Sequence, residues 1–309
     1  MNIRDARKFI NLAPRFISMA KIPVYDVGAI SGVKEDDIQI SRFAPYLRVH
    51  ENLRSAHKHT FYHVMLFTEG AGTHTIDFKT FTVKPCQIYF MIPGQVHSWQ
   101  FEGHVDGYIL NFSATFLHSL LLKPDYLEQF PFFSGDVNEV VINLPEGLHK
   151  PITSIFEGLI RESEQRERLS IDMIQVLMLQ LFIQVGRLSF DKDSSRANAY
   201  NYALVKNFQK LIERNYRTLK LPKDYAERLF VTPNHLNAIC NSVLGMSAGE
   251  VIRNRILLEA KRLLTNQDST ISEIAYDLNF ADNSYFTKFY KKYTGQTPEE
   301  FRKGLRQLS

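Results

Sequence analysis

The chain has 309 residues, 44% of them hydrophobic, with 37 Lys+Arg against 33 Asp+Glu and a formal charge of +4; this gives room for two or three globular domains and excludes a low-complexity chain. The longest apolar stretch, Val176 to Ile183, is broken by Gln180 and falls far short of the roughly 20 residues that span a bilayer, and no apolar core or small-residue cleavage site follows the basic start Met1 to Phe9. Only two cysteines occur, Cys86 and Cys240, in separate regions, so no structural disulfide is expected and the chain reads as cytoplasmic, without membrane contact.

Residues 1–40 are expected to form an arm with little regular structure, an opening helix being the one element it could hold. Residues 41–147 read as a domain of short strands. Tyr62–Glu69, Gly72–Phe78, Phe81–Lys84, Gln87–Ile92 and Gly107–Phe112 are rich in Val, Ile, Phe, Tyr and Thr. Turn residues separate them, such as Gly70, Gly72, Pro85, Pro93 and Gly94. Many short strands at close spacing predict a barrel or jelly roll.

Within that region His57, His59 and His63 precede one strand, and Pro93-Gly-Gln-Val-His97 opens a later one. On alternating strand positions His57, His59 and His63 face one interior, with His97 opposite. Neutral imidazoles are good ligands for zinc, iron or nickel. The pattern resembles the cupin signature: a His-x-His pair, a third ligand four residues on, a later Gly, and a Pro-Gly…His. Metal-binding cupins normally carry Glu at the third position, where this chain has His63. Aromatics including Phe61, Tyr62, Phe67, Tyr89, Phe90, Trp99, Phe101 and Tyr108 run through the same strands. They suit a pocket wall or a core, and sequence does not separate the two.

Residues 148–190 predict two helices. Lys150–Arg168 is amphipathic, and Ser170 caps a second helix with Ile171, Ile174, Met178, Leu181, Val185 and Leu188 in steps of three and four. Met173, Val176, Leu177, Phe182 and Ile183 cover its other faces, so the helix needs burial on two sides. Either both sides pack on the strands, or one side meets the same helix of a second subunit; the second is the expectation, and it makes the chain a homodimer. Residues 191–199 are polar and small and read as a linker.

Residues 200–309 hold one pattern twice. The first copy runs from Lys223 through Ala226, Leu229, Thr232, Leu236 and Ile239 to Gly245; the second runs from Ile271 through Ala275, Leu278, Asp282, Phe286, Phe289 and Tyr290 to Gly295. In each, a small residue sits where two helices approach, and an apolar anchor follows three residues later. Thr232 and Asp282 can cap the second helix by accepting bonds from its free N–H groups. Each copy ends in Gly, a polar cap and an acidic turn. Two helix-turn-helix patterns with parallel punctuation predict a tandem DNA reader. Charge agrees. These 110 residues carry 17 Lys+Arg and 11 Asp+Glu, net +6, which leaves 20 basic and 22 acidic groups, net −2, for the rest. A phosphate backbone attracts such a patch.

This half resembles the DNA-binding domain of the AraC family of transcription regulators over its whole length. The resemblance rests on the repeat, the joining segment Ser247–Leu264 and the closing run Phe280–Arg302. It implies two helix-turn-helix units bridged by one helix. A bridge of that length spans roughly 27 Å at about 1.5 Å per residue, which can hold two reading helices near one DNA turn apart, about 34 Å. By position in the family's pattern, Thr232, Asn234, Asn237 and Ala238 in the first unit, and Asn283, Ser284, Thr287, Lys288 and Lys291 in the second, are implied DNA-binding residues. Asn can bond an adenine edge at two atoms, and Lys can donate to guanine or to phosphate. Arg253 and Arg255 are implied to neutralise phosphate or brace the bridge.

The expected whole is an α+β two-domain protein: an N-terminal cupin-like β-barrel (jelly roll) with a helical pair, and a C-terminal all-α tandem helix-turn-helix domain. The resemblance implies a ligand-responsive regulator whose partners are double-stranded DNA, a small-molecule effector, a second copy of the chain and RNA polymerase. Regulators of this family commonly hold an organic effector without metal. His57, His59, His63, Tyr89, His97 and Trp99 are therefore expected to line its pocket, with no metal, no cofactor and no catalytic residue. Two other readings stand: a metal-dependent cupin enzyme, dioxygenase or isomerase, with an attached DNA domain, and a constitutive regulator whose filled barrel is only a dimerisation platform.

Overall fold

The computed structural model describes residues 22–31, 37–117, 120, 126–190, 196–266 and 268–307. The expected opening helix of the arm and most of the expected linker, 191–195, lie outside them. The N-terminal half is one sheet. Its strands are β1 (Val24–Tyr25), β2 (Ile38–Arg42), β3 (His57–His59), β4 (Tyr62–Ile76), β5 (Lys79–Thr82), β6 (Gln87–Met91), β7 (Val96–Phe112) and β8 (Val141–Asn143), with short helices α1 (Val27–Ser31) and α2 (Phe43–Val49) between the first three. The pairing order is β1-β3-β7-β4-β6-β8, with β2 on β7 and β5 on β4.

Three expectations are corrected here. The strands predicted from Tyr62 to Phe78 are one long strand, because the glycines at 70 and 72 take φ of 127° and 119° and carry the chain through register shifts instead of a turn. Pairing begins at Val24, inside the stretch read as an arm. The short end strands β1 and β8 do not pair with each other, so the sheet is open and the closed barrel is not formed.

Alternation decides what each face buries. Met65, Phe67, Tyr89, Met91, Trp99 and Ile109 join Phe43, Tyr46 and Leu47 of α2 in one core. Val64, Leu66, Ile88, Phe90, Tyr108, Leu110 and Phe112 join the helices α3 (Glu146–Gln165) and α4 (Ser170–Phe190) in another. Strands buried on both faces read as nearly continuous apolar runs, which is why the sequence shows little polar alternation here.

The same packing divides the faces of α4. Ile174, Met178, Leu181 and Val185 are fully buried in the chain's own core, while Leu169, Met173 and Val176 are exposed. Among the described residues α4 also has the length and composition to cross a membrane over Ser170–Leu188; its uncharged glutamines hide this from a search for unbroken apolar runs. Its inner face lies on α3 and the sheet.

The C-terminal half is helical: α5 (Arg196–Asn215), α6 (Pro222–Arg228), α7 (Pro233–Leu244), α8 (Ala248–Leu264), α9 (Ile271–Asp277), α10 (Asn283–Thr294) and α11 (Pro298–Gln307). Caps set the boundaries. Thr232 accepts from His235 N and Asp282 from Tyr285 N at the starts of α7 and α10. Gly245 and Gly295 close them in the left-handed region, at φ 70° and 81°, which glycine adopts without steric cost. Ser247 with Glu250, and Thr270 with Glu273, form capping boxes on α8 and α9. Ala226, Leu236, Ile239, Ile252, Ile256, Ala275, Leu278, Phe286 and Tyr290 share one core.

Candidate functional site

The two reading helices present the predicted contact residues outward. Asn234, Asn237 and Ala238 are exposed on α7, whose inner face is Leu236 and Ile239. Asn283, Ser284, Lys288 and Lys291 are exposed on α10, Thr287 is half-buried, and the inner face is Phe286 and Tyr290. Two residues have internal tasks as well. Asn237 Oδ1 accepts from Ala248 N at 3.1 Å, which ties α7 to the start of α8. Thr287 donates to Asn283 Oδ1 at 3.3 Å. Thr232 stays exposed while capping α7.

Of the two roles implied for Arg255, phosphate contact or bracing of the bridge, its contacts fit the second. Its Nε donates to both carboxylate oxygens of Glu213 at 2.8 Å, its Nη1 donates to Glu259 at 3.0 Å, and the guanidinium lies over the Tyr216 ring. Burial works to lower its pKa, but the Glu213 and Glu259 carboxylates hold it above the ordinary arginine value. Arg255 braces α8 against α5. Arg253 packs over Tyr293.

The sensing half brings His57, His59, His63 and His97 together and adds His74. Sequence reasoning missed His74: it stands opposite Trp99 in the β4–β7 register, and only that register shows which way it faces. The five imidazoles are buried. Ring centroids are 4.1 Å apart for His57 and His97, 4.7 Å for His57 and His59, 4.8 Å for His59 and His97, and 5.3 Å for His74 and His97. Trp99 lies beside His97 and Tyr89 beside His74. The Tyr89 hydroxyl donates to Gln87.

Burial, first of all, lowers the pKa of every one of these histidines. His57 and His63 fall to about 4, and His59, His74 and His97 fall well below 6.5. All five are neutral near pH 7. His57 Nδ1 donates to Ser55 O at 2.8 Å, His63 Nδ1 pairs with Asn111 Oδ1 at 2.5 Å, and His97 Nδ1 faces His74 Nε2 at 3.2 Å. The Nε2 atoms of His57, His59, His63 and His97 are left buried with no hydrogen-bond partner. A buried polar atom left so costs about 1–3 kcal/mol.

Two cavities, of about 340 and 180 Å³, lie where the sheet half meets the helical half. Loop residues 134–138 and side chains of α5 and α8 line the larger one. None of the six residues expected to line an effector pocket lines either cavity.

Comparison with known proteins bears on both halves. A family profile described as an AraC-like ligand binding domain matches residues 40–182, and one described as a helix-turn-helix domain matches residues 225–304. Between them they take in well over half of the chain. The chain belongs to the AraC family of transcription regulators. As a member it joins a ligand-binding, sheet-rich, cupin-like domain to a DNA-binding helix-turn-helix domain. It is 22% identical over 255 residues to the HTH-type transcriptional activator RhaR of an Enterobacter species, covering 82% of this chain and 89% of that one. It is 23% identical over 251 residues to the Msm operon regulatory protein of Streptococcus mutans, covering 79% and 84%. Among solved structures, ToxT of Vibrio cholerae aligns over 86% of this chain and 98% of its own at 15% identity, with a TM-score of 0.42.

Proposed function

We propose that this AraC-type regulator reads double-stranded DNA with α7 and α10 and receives its ligand at the buried imidazole cluster. The observation that carries the first part is the pair of capped helices with outward Asn234, Asn283, Ser284, Lys288 and Lys291. α8, at 17 residues and about 1.5 Å each, sets their spacing, which suits two successive major grooves on one face of the duplex. For the second part, the unpartnered nitrogens of His57, His59, His63 and His97 argue against a sensing half that is only a platform.

Dimerisation belongs to this reading, through the exposed stripe Leu169, Met173 and Val176 at spacings of four and three on α4 and its approach. We read the sensing half as a binding unit and not a catalyst, because the relatives are transcription regulators and neither cavity described above adjoins the histidines. The protein then works in the cytoplasm. RNA polymerase is the further partner this reading implies, since the RhaR relatives are named activators. Selection from a random duplex pool by the full chain tests the DNA reading. Enrichment of one bipartite sequence supports it, and equal recovery of all sequences at all salt concentrations contradicts it.

A further inference from the structure

We propose that the ligand of the sensing half is a divalent transition metal ion held by the imidazoles of His57, His59 and His97, and that the Asp77–Arg262 pair carries its occupancy to the DNA-reading half. This rests on the regulator reading and departs from the expected organic effector. The rings of His57, His59 and His97 touch one another, which leaves no room between them for an organic molecule. Each of the three instead brings a ring nitrogen within 4.8 Å of the others. A tetrahedral ion bonded at about 2.0–2.1 Å to each nitrogen holds them about 3.3–3.4 Å apart, a short closure of side chains already facing one point. The Nε2 atoms of all three have no other partner, so each leaves a ring nitrogen open to an ion. All-imidazole donors select zinc, nickel, cobalt, copper or iron over calcium and magnesium.

His74 fits the arrangement as a positioning residue. It faces Nδ1 of His97, the place where metal-bound histidines bond an outer partner that fixes ring and tautomer. His57 has the same support from Ser55 O. His63, the third residue of the cupin-like pattern, is tied to Asn111 and stands outside the convergent group; it is the nearest further donor, with rings 5.2 Å from His59 and 5.7 Å from His97.

The route outward begins at His97. Its neighbour Val96 donates to Asp77 Oδ1 and accepts from Asp77 N, and Gln95 donates to Asp77 Oδ2. Asp77, held at φ 46° beyond the end of β4, accepts from Arg262 Nε at 2.9 Å and Nη2 at 2.5 Å. Arg262 sits on α8, the helix that bridges both reading units. A shift of His97 toward His57 and His59 therefore acts on a buried ion pair one residue away, and that pair acts on the bridge. Two arrangements of such an element, biased by ligand, are what coupling between sites requires.

The test uses the full chain, stripped with a chelator and titrated with Co²⁺ alone, then competed with Zn²⁺. One ion per chain with tetrahedral cobalt bands is expected. His57→Gln and His97→Gln should abolish the bands, while His74→Gln should keep them with about 10–100-fold weaker binding; thermal melting checks that each variant folds. On a duplex selected by the same chain, saturating Zn²⁺ should change Kd by about fivefold or more, and Arg262→Gln should bind Zn²⁺ equally but lose that change. Sub-stoichiometric cobalt in the wild type overturns the site. Stoichiometric metal with an unchanged Kd overturns sensing, and a full response in Arg262→Gln overturns the route. Failure to select any duplex would sink the regulator reading while the cobalt titration still decides the site.

Discussion

Arg262 and Asp77, 185 residues apart in the chain, form a two-pronged buried ion pair that joins the bridging helix of the DNA-reading half to the turn between β4 and β5. Phe78, the next residue, places its ring 5.9 Å from that of Phe301 on α11. The Asp77 carboxylate is fully saturated, because Gln95 and Val96 also donate to it. The two halves thus meet through this buried clasp with an aromatic contact beside it, and through more exposed pairs of Glu128 with Lys210 and Arg214 on α5.

Removing one side of that clasp leaves a buried charge. Arg262→Met should destabilise the full chain by about 3–5 kcal/mol, since breaking a buried pair strands its partner. Asp77→Asn combined with Arg262→Met should recover part of the loss. Denaturant unfolding of both single variants and the double variant gives the coupling, and strictly additive losses would show that the pair carries none.

The helix α4 should separate packing from dimerisation. Leu181→Ala empties a fully buried position and should cost about 2–5 kcal/mol without changing the oligomeric state of what remains folded. Met173→Asp, on the exposed stripe, should keep the melting temperature of the folded chain but give a monomer by sedimentation. A dimer that survives Met173→Asp and Val176→Asp together would place the interface elsewhere.

Acid should unfold the sensing half early. The folded-state pKa of each clustered histidine lies below its unfolded value of 6.5, and His57 and His63 lie at about 4. The unfolded chain therefore takes up protons that the folded chain refuses. Stability is fully present above about pH 6.5 and falls as pH drops toward 4. One histidine carried from 6.5 to about 4 accounts for about 3 kcal/mol across that window. Thermal melting from pH 7.5 to 4.5 should show the loss, and His74→Gln should reduce its slope.

On DNA, Asn283→Ala and Lys288→Ala should each weaken binding to the selected sequence by about 1–3 kcal/mol for every base edge the side chain reads. Lys291→Ala should weaken all sequences alike and lower the salt slope by about one. Arg255→Ala should leave the salt slope unchanged and lower stability instead, because its charge is engaged by Glu213 and Glu259. Titrations of each variant on the selected and a scrambled duplex, repeated at several salt concentrations, separate these outcomes.

The helical half was legible in the sequence nearly residue by residue, because its boundaries are chemical: Thr232, Asp282, Gly245 and Gly295 cap in the structure where their types and spacing said they would. The sheet was legible as strands but not as a shape. Its glycines at 70 and 72 read as turns, and only their dihedrals and pairing reveal one long strand. Which face of α4 the chain itself covers was not legible, because periodicity gives an apolar face without naming what covers it. His74, Asp77 and Arg262 carried no local signal; they become a site only when β4, β7 and α8 are brought together. The imidazole cluster was half visible, since the spacing of His57, His59 and His97 is local to two strand starts, whereas the ring contacts among them are a property of packing.

The most direct measurement of the central claim is a hydroxyl-radical and methylation footprint of the purified full chain on its selected duplex, taken with and without Zn²⁺. Protection of two successive major-groove segments per subunit on one face of the helix is expected, with occupancy that changes when Zn²⁺ is added. Protection of a single segment per subunit, identical with and without the metal, would contradict it.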